Sequence, residues 1–111
     1  MVVPKDIDTV IGAKSRFEGT FQVKGSLLIE GQFKGDLIFS DQVYLSESGV
    51  VESNIRGGAI FIEGNVIGNI FASGRVVLLP GAKIVGDITT PELITQKGVI
   101  LEGRCTINQN L

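Results

Sequence analysis

The sequence predicts an all-β fold: a single-domain parallel β-helix (β-solenoid) of about six coils, each with three short strands and ~17 residues. Two observations carry this prediction. A short phrase recurs along the chain, and two columns of that repeat are apolar throughout. The phrase is clearest in residues 59–74, AIFIEGNVIGNIFASG, and returns in residues 27–39 as LLIEGQFKGDLIF. Residues 76–88, VVLLPGAKIVGDI, give it again with one residue added.

The register of the repeat can be fixed on the second glycine of the phrase. Aligned there, the chain gives anchors at intervals of 16, 18, 15, 18 and 17 residues: Gly19, Gly35, Ser53, Gly68, Gly86 and Gly103. The positions two before each anchor are all apolar: Phe17, Phe33, Val51, Val66, Ile84 and Leu101. The positions two after each anchor are apolar as well: Phe21, Leu37, Ile55, Ile70, Ile88 and Cys105. A chain that is 43% hydrophobic would not fill both columns by chance.

Taken in order, the chain begins with a short tail, residues 1–9, that lies outside the repeat. The β-helical core domain covers residues 10–109 in six coils: residues 10–24, 25–42, 43–58, 59–74, 75–92 and 93–109. Residues 110–111 form the C-terminal end. Each coil holds three apolar segments of three to five residues, separated by Gly, Ser, Asn, Asp or Pro. Segments this short and this rich in β-branched residues are typical of strands.

Alternation within the segments predicts which side chains face the core. Phe33 and Leu37 are expected to point inward, and Lys34 and Ile38 outward. The hand of the helix follows from two considerations. Parallel strands joined by crossovers are right-handed by strong preference. Left-handed hexapeptide solenoids keep a rigid multiple of six, whereas the intervals here vary from 15 to 18. We therefore expect a right-handed helix.

Composition argues against several classes of function. The net charge is −2, and the ten basic and twelve acidic residues are interspersed, so nucleic acid is not expected as a partner. One cysteine excludes an intrachain disulfide framework and fits a reducing cytoplasm. The sequence carries no secretion signal and no apolar span of membrane length. Val2 and Val3 are candidates for contact with the inner surface of the cytoplasmic membrane, and a frayed terminus is the alternative.

The two ends of a β-helix expose unpaired backbone groups and the cut end of the apolar core. Nine residues precede the first coil and few follow the last, and neither segment has the periodicity of a capping helix. Seven residues of the end coils are expected to form the interface: Ile11, Phe17, Phe21, Ile94, Leu101, Cys105 and Ile107. Apolar ends should stack on further copies, and stacking that does not close into a ring gives a filament.

The phrases GSLLIEGQFKGDL, IFIEGNVIGNI and LLPGAKIVGDITTPEL resemble the bactofilin family, bacterial cytoskeletal proteins with a right-handed β-helical core. The resemblance covers residues 10–107. It implies polymerisation through the helix ends without nucleotide, giving filaments, bundles or sheets in which like ends are thought to meet. It also implies membrane attachment through the N-terminal tail and recruitment of cell-wall or morphogenesis proteins. The tails of this chain are short and lack the proline-rich extensions common in the family.

The sequence shows no pattern of residues typical of a catalytic or ligand-binding site. There is no histidine, the commonest general base and zinc ligand. Cys105 is expected to be a small interior residue in the column of Ile70 and Ile88, and not a nucleophile. The acidic corner residues lie among lysines and arginines, which favours solvated corners over calcium sites. No glycine cluster carries the Lys-Ser/Thr of a phosphate loop. We expect no catalytic residue, metal, cofactor or nucleotide.

The sequence thus favours a cytoplasmic cytoskeletal protein that assembles end to end with itself and scaffolds morphogenesis or cell-wall proteins. An enzyme on a solenoid scaffold is disfavoured by the absent histidine. The main alternative is a monomeric β-solenoid that serves as a protein-binding or adaptor module. Its docking face would consist of apolar residues expected to be exposed: Ile38, Tyr44, Phe61, Ile67 and Phe71.

Overall fold

The computed structural model describes residues 7–107, which form eleven β-strands paired in parallel, with no helix in that range. The strands are β1 (Thr9–Ile11), β2 (Arg16–Ile29), β3 (Gln32–Leu45), β4 (Val50–Ile62), β5 (Asn65–Ile67), β6 (Ile70–Leu78), β7 (Lys83–Val85), β8 (Ile88–Thr90), β9 (Leu93–Thr95), β10 (Ile100–Glu102) and β11 (Cys105–Ile107). The prediction of an all-β solenoid with parallel strands is confirmed.

Strand segments stack in three rows, which we call faces A, B and C. Face A contains β1, residues 26–29, 42–45, 59–62 and 75–78, and β9. Face B contains residues 16–19, 32–35 and 50–52, then β5, β7 and β10. Face C contains residues 20–23, 37–40, 54–57 and 70–71, then β8 and β11. With six segments in each row, the chain makes the six coils that the repeat predicts, visiting the faces in the order A, B, C.

The interior consists of columns in which equivalent residues of successive coils stack on one another. The face B column is the predicted one: Phe17, Phe33, Val51, Val66, Ile84 and Leu101. A face A column is Ile11, Ile29, Leu45, Ile62, Leu78 and Thr95. In both columns every residue of the four inner coils is at most 1% exposed. Full burial of such a side chain contributes about 1.5–3 kcal/mol. Because the covering atoms belong to neighbouring coils, stability is a sum of coil-to-coil contacts.

The predicted alternation is wrong in the second coil. Ile38, not Leu37, pairs with Phe21 and Ile55 in the face C column, and Ile38 is 0% exposed. The cause is a bulge, because the register between β2 and β3 shifts after Gly19 and makes Asp36 an extra residue at this corner. A slip of one residue exchanges the inward and outward sides of a strand.

Strands β2, β3 and β4 have 13 or 14 residues and continue through the corners, whereas three separate short strands per coil were predicted. Between faces B and C, side chains bridge successive coils. The Asn69 amide N–H donates to Asn54 Oδ1 at 3.0 Å, and the Asp87 N–H donates to Asn69 Oδ1 at 3.1 Å. The Arg104 N–H donates to Asp87 Oδ1 at 3.0 Å. These bonds satisfy backbone donors where the chain turns away from the regular ladder.

Candidate assembly surfaces at the two ends of the helix

Both ends of the described helix present strands that are paired on one side only. At the N-terminal end these are β1 and residues 16–23 of β2. At the C-terminal end they are β9, β10 and β11. In residues 7–107 no further strand pairs with these outer edges. Each end therefore offers a full coil of backbone donors and acceptors to another strand, which is the condition for pairing with a second chain.

Aromatic rings cover the core at the N-terminal end. Phe17 lies flat over Phe33, with ring centroids 5.2 Å apart and an interplanar angle of 12°. Phe21 meets Phe17 edge-on at 4.8 Å. Phe33 is 1% exposed, while Phe17 and Phe21 are only half-buried. The two rings predicted for the interface thus pack one side on the core and present the other to solvent. Ile11 is 6% exposed and adds little to this surface.

The C-terminal end is aliphatic. Leu93 on β9, Leu101 on β10 and Val99, which directly precedes β10, are half-buried against the core. On β11, Cys105 and Ile107 stand above Ile88 and Thr90, which are both 0% exposed. Ile107 itself is 49% exposed. The predicted residues Leu101, Cys105 and Ile107 therefore lie together on the last coil and face the open C-terminal end of the helix.

Ile94 lies elsewhere. It pairs with Val77 on the outer side of face A and is 41% exposed, whereas its neighbour Leu93 continues the interior column of Ile60 and Val76. Leu93 and Val99 were missed by the sequence reasoning. Aligning Leu93 with Val76 in the repeat would have identified it, since the two residues hold the same position in their coils.

Cys105 also differs from the prediction. It occupies the expected interior column, but the residue is exposed because it belongs to the last described coil. Its partial burial nevertheless raises the pKa of the thiol above the ordinary value. A raised pKa disfavours the thiolate, which is the nucleophilic form. The position makes Cys105 a natural reporter of what covers the C-terminal end.

The sides of the helix carry a smaller apolar feature. A groove of about 440 Å³ lies beside the corner between faces C and A, and Gly57 and Ala72 are among the residues that line it. Phe39 and Phe71 line it and are 39% and 40% exposed, and the Arg56 guanidinium lies 5.4 Å from the centre of the Phe71 ring.

The docking face predicted for the alternative function is only partly present. Ile38 and Tyr44 are buried at 0% and 6% exposure, so their prediction as exposed residues is wrong. Phe61 is half-buried, and Ile67 and Phe71 are exposed, each on a different face.

Other predicted features fall outside the structure or concern ligands. Val2 and Val3, proposed for membrane contact, lie outside the described residues, as do residues 108–111. Within residues 7–107, no helix has the length and apolar character needed to cross a membrane. The same residues contain no cluster of three or more His, Cys, Asp or Glu side chains placed to hold a metal ion.

The fold and its surfaces are those of a structural repeat protein, and within residues 7–107 the first and last coils are apolar and paired on one side only. Residues 9–106 match the family model described as "Bactofilin: Polymer-forming cytoskeletal". Bactofilin BacO of Myxococcus xanthus (strain DK1622) is 35% identical over 96 residues, covering 86% of this chain and 76% of BacO. Bactofilin BacP of the same organism is 32% identical over 97 residues, covering 87% of this chain and 40% of BacP. No solved structure matches the chain at comparable significance.

The chain therefore belongs to the bactofilin family. Its function is cytoskeletal, and it is not an enzyme. The polymer-forming character of the family supports association of the chain with copies of itself.

Proposed function

We propose that this protein polymerises end to end, without nucleotide, through its two terminal coils. The observation that carries the proposal is the state of these coils. Within residues 7–107, each terminal coil has strands paired on one side only and apolar side chains that are half-covered by the core. A second copy docked on an end would continue both the β-ladder and the interior columns.

The apolar contacts and the hydrogen bonds act together at such a junction. Covering Leu101 and Ile107, or Phe17 and Phe21, removes apolar surface from water at roughly 25 cal/mol per Å². The exposed backbone groups gain partners in the same step, so the junction leaves few polar groups buried without a bond. No chemical step is required, because the ends of the folded subunit are ready to pair. This is why nucleotide hydrolysis has no part in the proposal.

The filament serves as a cytoplasmic scaffold for cell-wall or morphogenesis proteins, as the family resemblance implies. Attachment to the inner face of the membrane through Val2 and Val3 belongs to the same proposal. Two polarities are compatible with the ends. Unlike ends would continue the parallel ladder, whereas like ends, implied by the family, would meet through antiparallel strands.

The first test places a charge at the centre of the C-terminal surface. Leu101→Glu should leave the subunit folded, because Leu101 is only half-buried, but should prevent assembly. Burying an unpaired carboxylate costs several kcal/mol, so the critical concentration should rise by about 100-fold or more. The measurement is the protein pelleted at high speed as a function of concentration. Circular dichroism checks the fold.

Ile100→Glu is the matched control, since Ile100 is the preceding residue on the same strand, points outward and is 52% exposed. It should assemble like the wild type. If Leu101→Glu itself unfolds the subunit, Ile107→Glu tests the same surface at a residue that is already 49% exposed. Variants that stay folded and pellet like the wild type would contradict the proposal.

Leu101→Glu and Phe21→Glu, which blocks the other end, together report whether like or unlike ends meet in the filament. Gln22→Glu is the exposed control for Phe21→Glu. If unlike ends meet, each single end variant should be a monomer by light scattering. If like ends meet, each single variant should be a dimer held by its intact end, and the double variant Phe21→Glu/Leu101→Glu should be a monomer.

The groove beside face C favours a second candidate function, docking of another protein as an adaptor. Phenylalanine and arginine are residue types frequent at the centres of protein interfaces, and here Phe39, Phe71 and Arg56 converge. A pure adaptor would remain monomeric at all concentrations. That outcome in the pelleting experiment would place this function first.

A further inference from the structure

The outer side of face A carries an unbroken row of apolar residues, one from each coil. We call this row the apolar stripe: Val10, Leu28, Tyr44, Phe61, Val77 and Ile94. These residues point away from the core, because they alternate with the interior residues of the same strands. The row is therefore not part of the interior columns, so packing of the core does not explain why all six of its residues are apolar.

The other outward rows of the described helix are mixed. The central row of face C runs Gln22, Phe39, Arg56, Phe71, Thr89 and Thr106. One row of face B runs Glu18, Lys34, Glu52, Ile67, Val85 and Glu102, and includes an exposed ion pair between Lys34 and Glu52 at 4.0 Å. Among the outward rows formed by residues 7–107, only the apolar stripe is apolar in all six coils.

The stripe is ordered and bordered by polar residues. The ring of Tyr44 stacks on Phe61 with centroids 4.8 Å apart and an interplanar angle of 2°, and the Tyr44 hydroxyl donates to Gln42 Oε1 at 3.2 Å. The Arg75 guanidinium lies 5.9 Å from the centre of the Phe61 ring. Val10 and Ile94, at the two ends of the row, are 52% and 41% exposed. An apolar centre with a polar rim is the anatomy of a protein–protein interface.

The area of the stripe argues for a particular occupant. Six strands ~4.8 Å apart span about 24 Å, and alternate residues on a strand are ~7 Å apart, so one stripe covers on the order of 200 Å². A stable interface needs about 800 Å² from each partner. One subunit is therefore too small to hold a partner through this surface. Where subunits stack so that face A continues on face A, as a parallel ladder between unlike ends provides, their stripes join into one long row, and about four subunits would reach the required area.

We propose that the apolar stripe is the lateral contact between filaments, occupied by the same stripe of copies in a neighbouring filament. The inference rests on the end-to-end assembly proposed above, and it adds that lateral pairing requires that assembly. Each subunit contributes a weak contact, and the rigid alignment of many subunits makes the sum strong. Single subunits should show no lateral association, whereas filaments should pair.

The test adds two positive charges to the stripe, at half-buried Val77 and at exposed Ile94. Val77→Lys/Ile94→Lys should form filaments that pellet at high speed but should lose the paired filaments that pellet at low speed. The control is Ile67→Lys/Ile100→Lys, which changes the net charge equally at two residues of face B that are each 52% exposed. It should pair like the wild type. Electron microscopy of both variants measures filament widths directly.

The outcomes separate the two proposals. High-speed filaments that no longer pair in the stripe variant, with pairing intact in the control, support the stripe as the lateral contact. Pairing in the stripe variant, or its equal loss in the control, overturns it and leaves end-to-end assembly standing. Wild-type filaments that remain single overturn it as well. If the wild type forms no filaments at all, end-to-end assembly is overturned. If the double variant Phe21→Glu/Leu101→Glu forms a stable dimer, the claim that lateral pairing requires end-to-end assembly is overturned.

Discussion

At the scale of single residues, the direction of a side chain in the end coils decides whether it packs in the core, lies on an end surface or points outward from a face. The repeat predicted Phe17, Phe21 and Leu101 at the ends because their columns were apolar in every coil. It assigned Ile94 to an end, although Leu93 is the inward residue there. Both residues are apolar, so composition could not choose between them. The position of Leu93 in the repeat does choose, since Leu93 corresponds to the inward residue Val76 and pairs with it in the structure.

Burial was harder to predict than position. Cys105 lies in the predicted interior column, above Ile88, yet it is exposed because β11 belongs to the last coil that the structure describes. Tyr44 shows the reverse case, since it points outward and is still only 6% exposed. Its neighbours Leu28 and Phe61 in the stripe cover it. Exposure in a solenoid thus depends on the residues one coil above and below, which local sequence does not reveal.

The thiol of Cys105 gives a prediction at this scale. In filaments, N-ethylmaleimide should react with Cys105 several-fold more slowly than in the unassembled Leu101→Glu variant, because the junction covers the C-terminal end. The same rate in both states would contradict the proposed interface. In the unassembled variant the rate should rise with pH through a midpoint above that of free cysteine. The midpoint is higher because partial burial raises the pKa of this thiol and disfavours the reactive thiolate.

At the scale of elements, the strands were predicted better than the corners. The apolar segments located every strand row, because alternation and β-branched residues leave few alternatives. The bulge at Asp36 was not predicted, and it moved Ile38 into the core in place of Leu37. The sequence around it, GDLIF, fits either register, since Leu37 and Ile38 are both apolar. The choice depends on stacking with Phe21 and Ile55 in the adjacent coils.

Corner backbones approach one another closely, and this gives a prediction for Gly86. Its φ is +143°, and a Cβ atom there would collide with the carbonyl oxygen of Gly68 in the coil before. Gly86→Ala should therefore destabilise the subunit by more than about 2 kcal/mol, through both strain and displacement of the corner. The measurement is urea unfolding in the Phe21→Glu/Leu101→Glu background, where subunits should be monomers under either polarity.

Gly98→Ala is the control for backbone strain alone. Gly98 has a φ of +85°, and a Cβ atom there would have no atom within 4 Å from any residue other than its two chain neighbours. Its replacement should cost about 1–2 kcal/mol, the strain of an L-residue in the left-handed region. Equal losses for the two variants would show that corner stacking adds nothing to the strain.

At the scale of the whole molecule, the repeat predicted the six coils that residues 7–107 form, and the bactofilin resemblance is confirmed by the family match. The apolar stripe was not anticipated. Its members come from six different coils, and they align only when the register of every strand on face A is known. The surface proposed to join filaments side by side is thus a property of the stacked coils, whereas the residues proposed for the end surfaces can be read from the first and last repeats.

The most direct test of the account is electron microscopy of the purified protein in plain buffer without nucleotide. We predict that single, unpaired filaments are no wider than the 36 Å extent of the subunit. Six coils at ~4.8 Å should give an axial subunit spacing of about 29 Å, with a strong ~4.8 Å reflection along the filament axis in diffraction. A uniform field of single subunits at high concentration would contradict the claim that the terminal coils drive assembly.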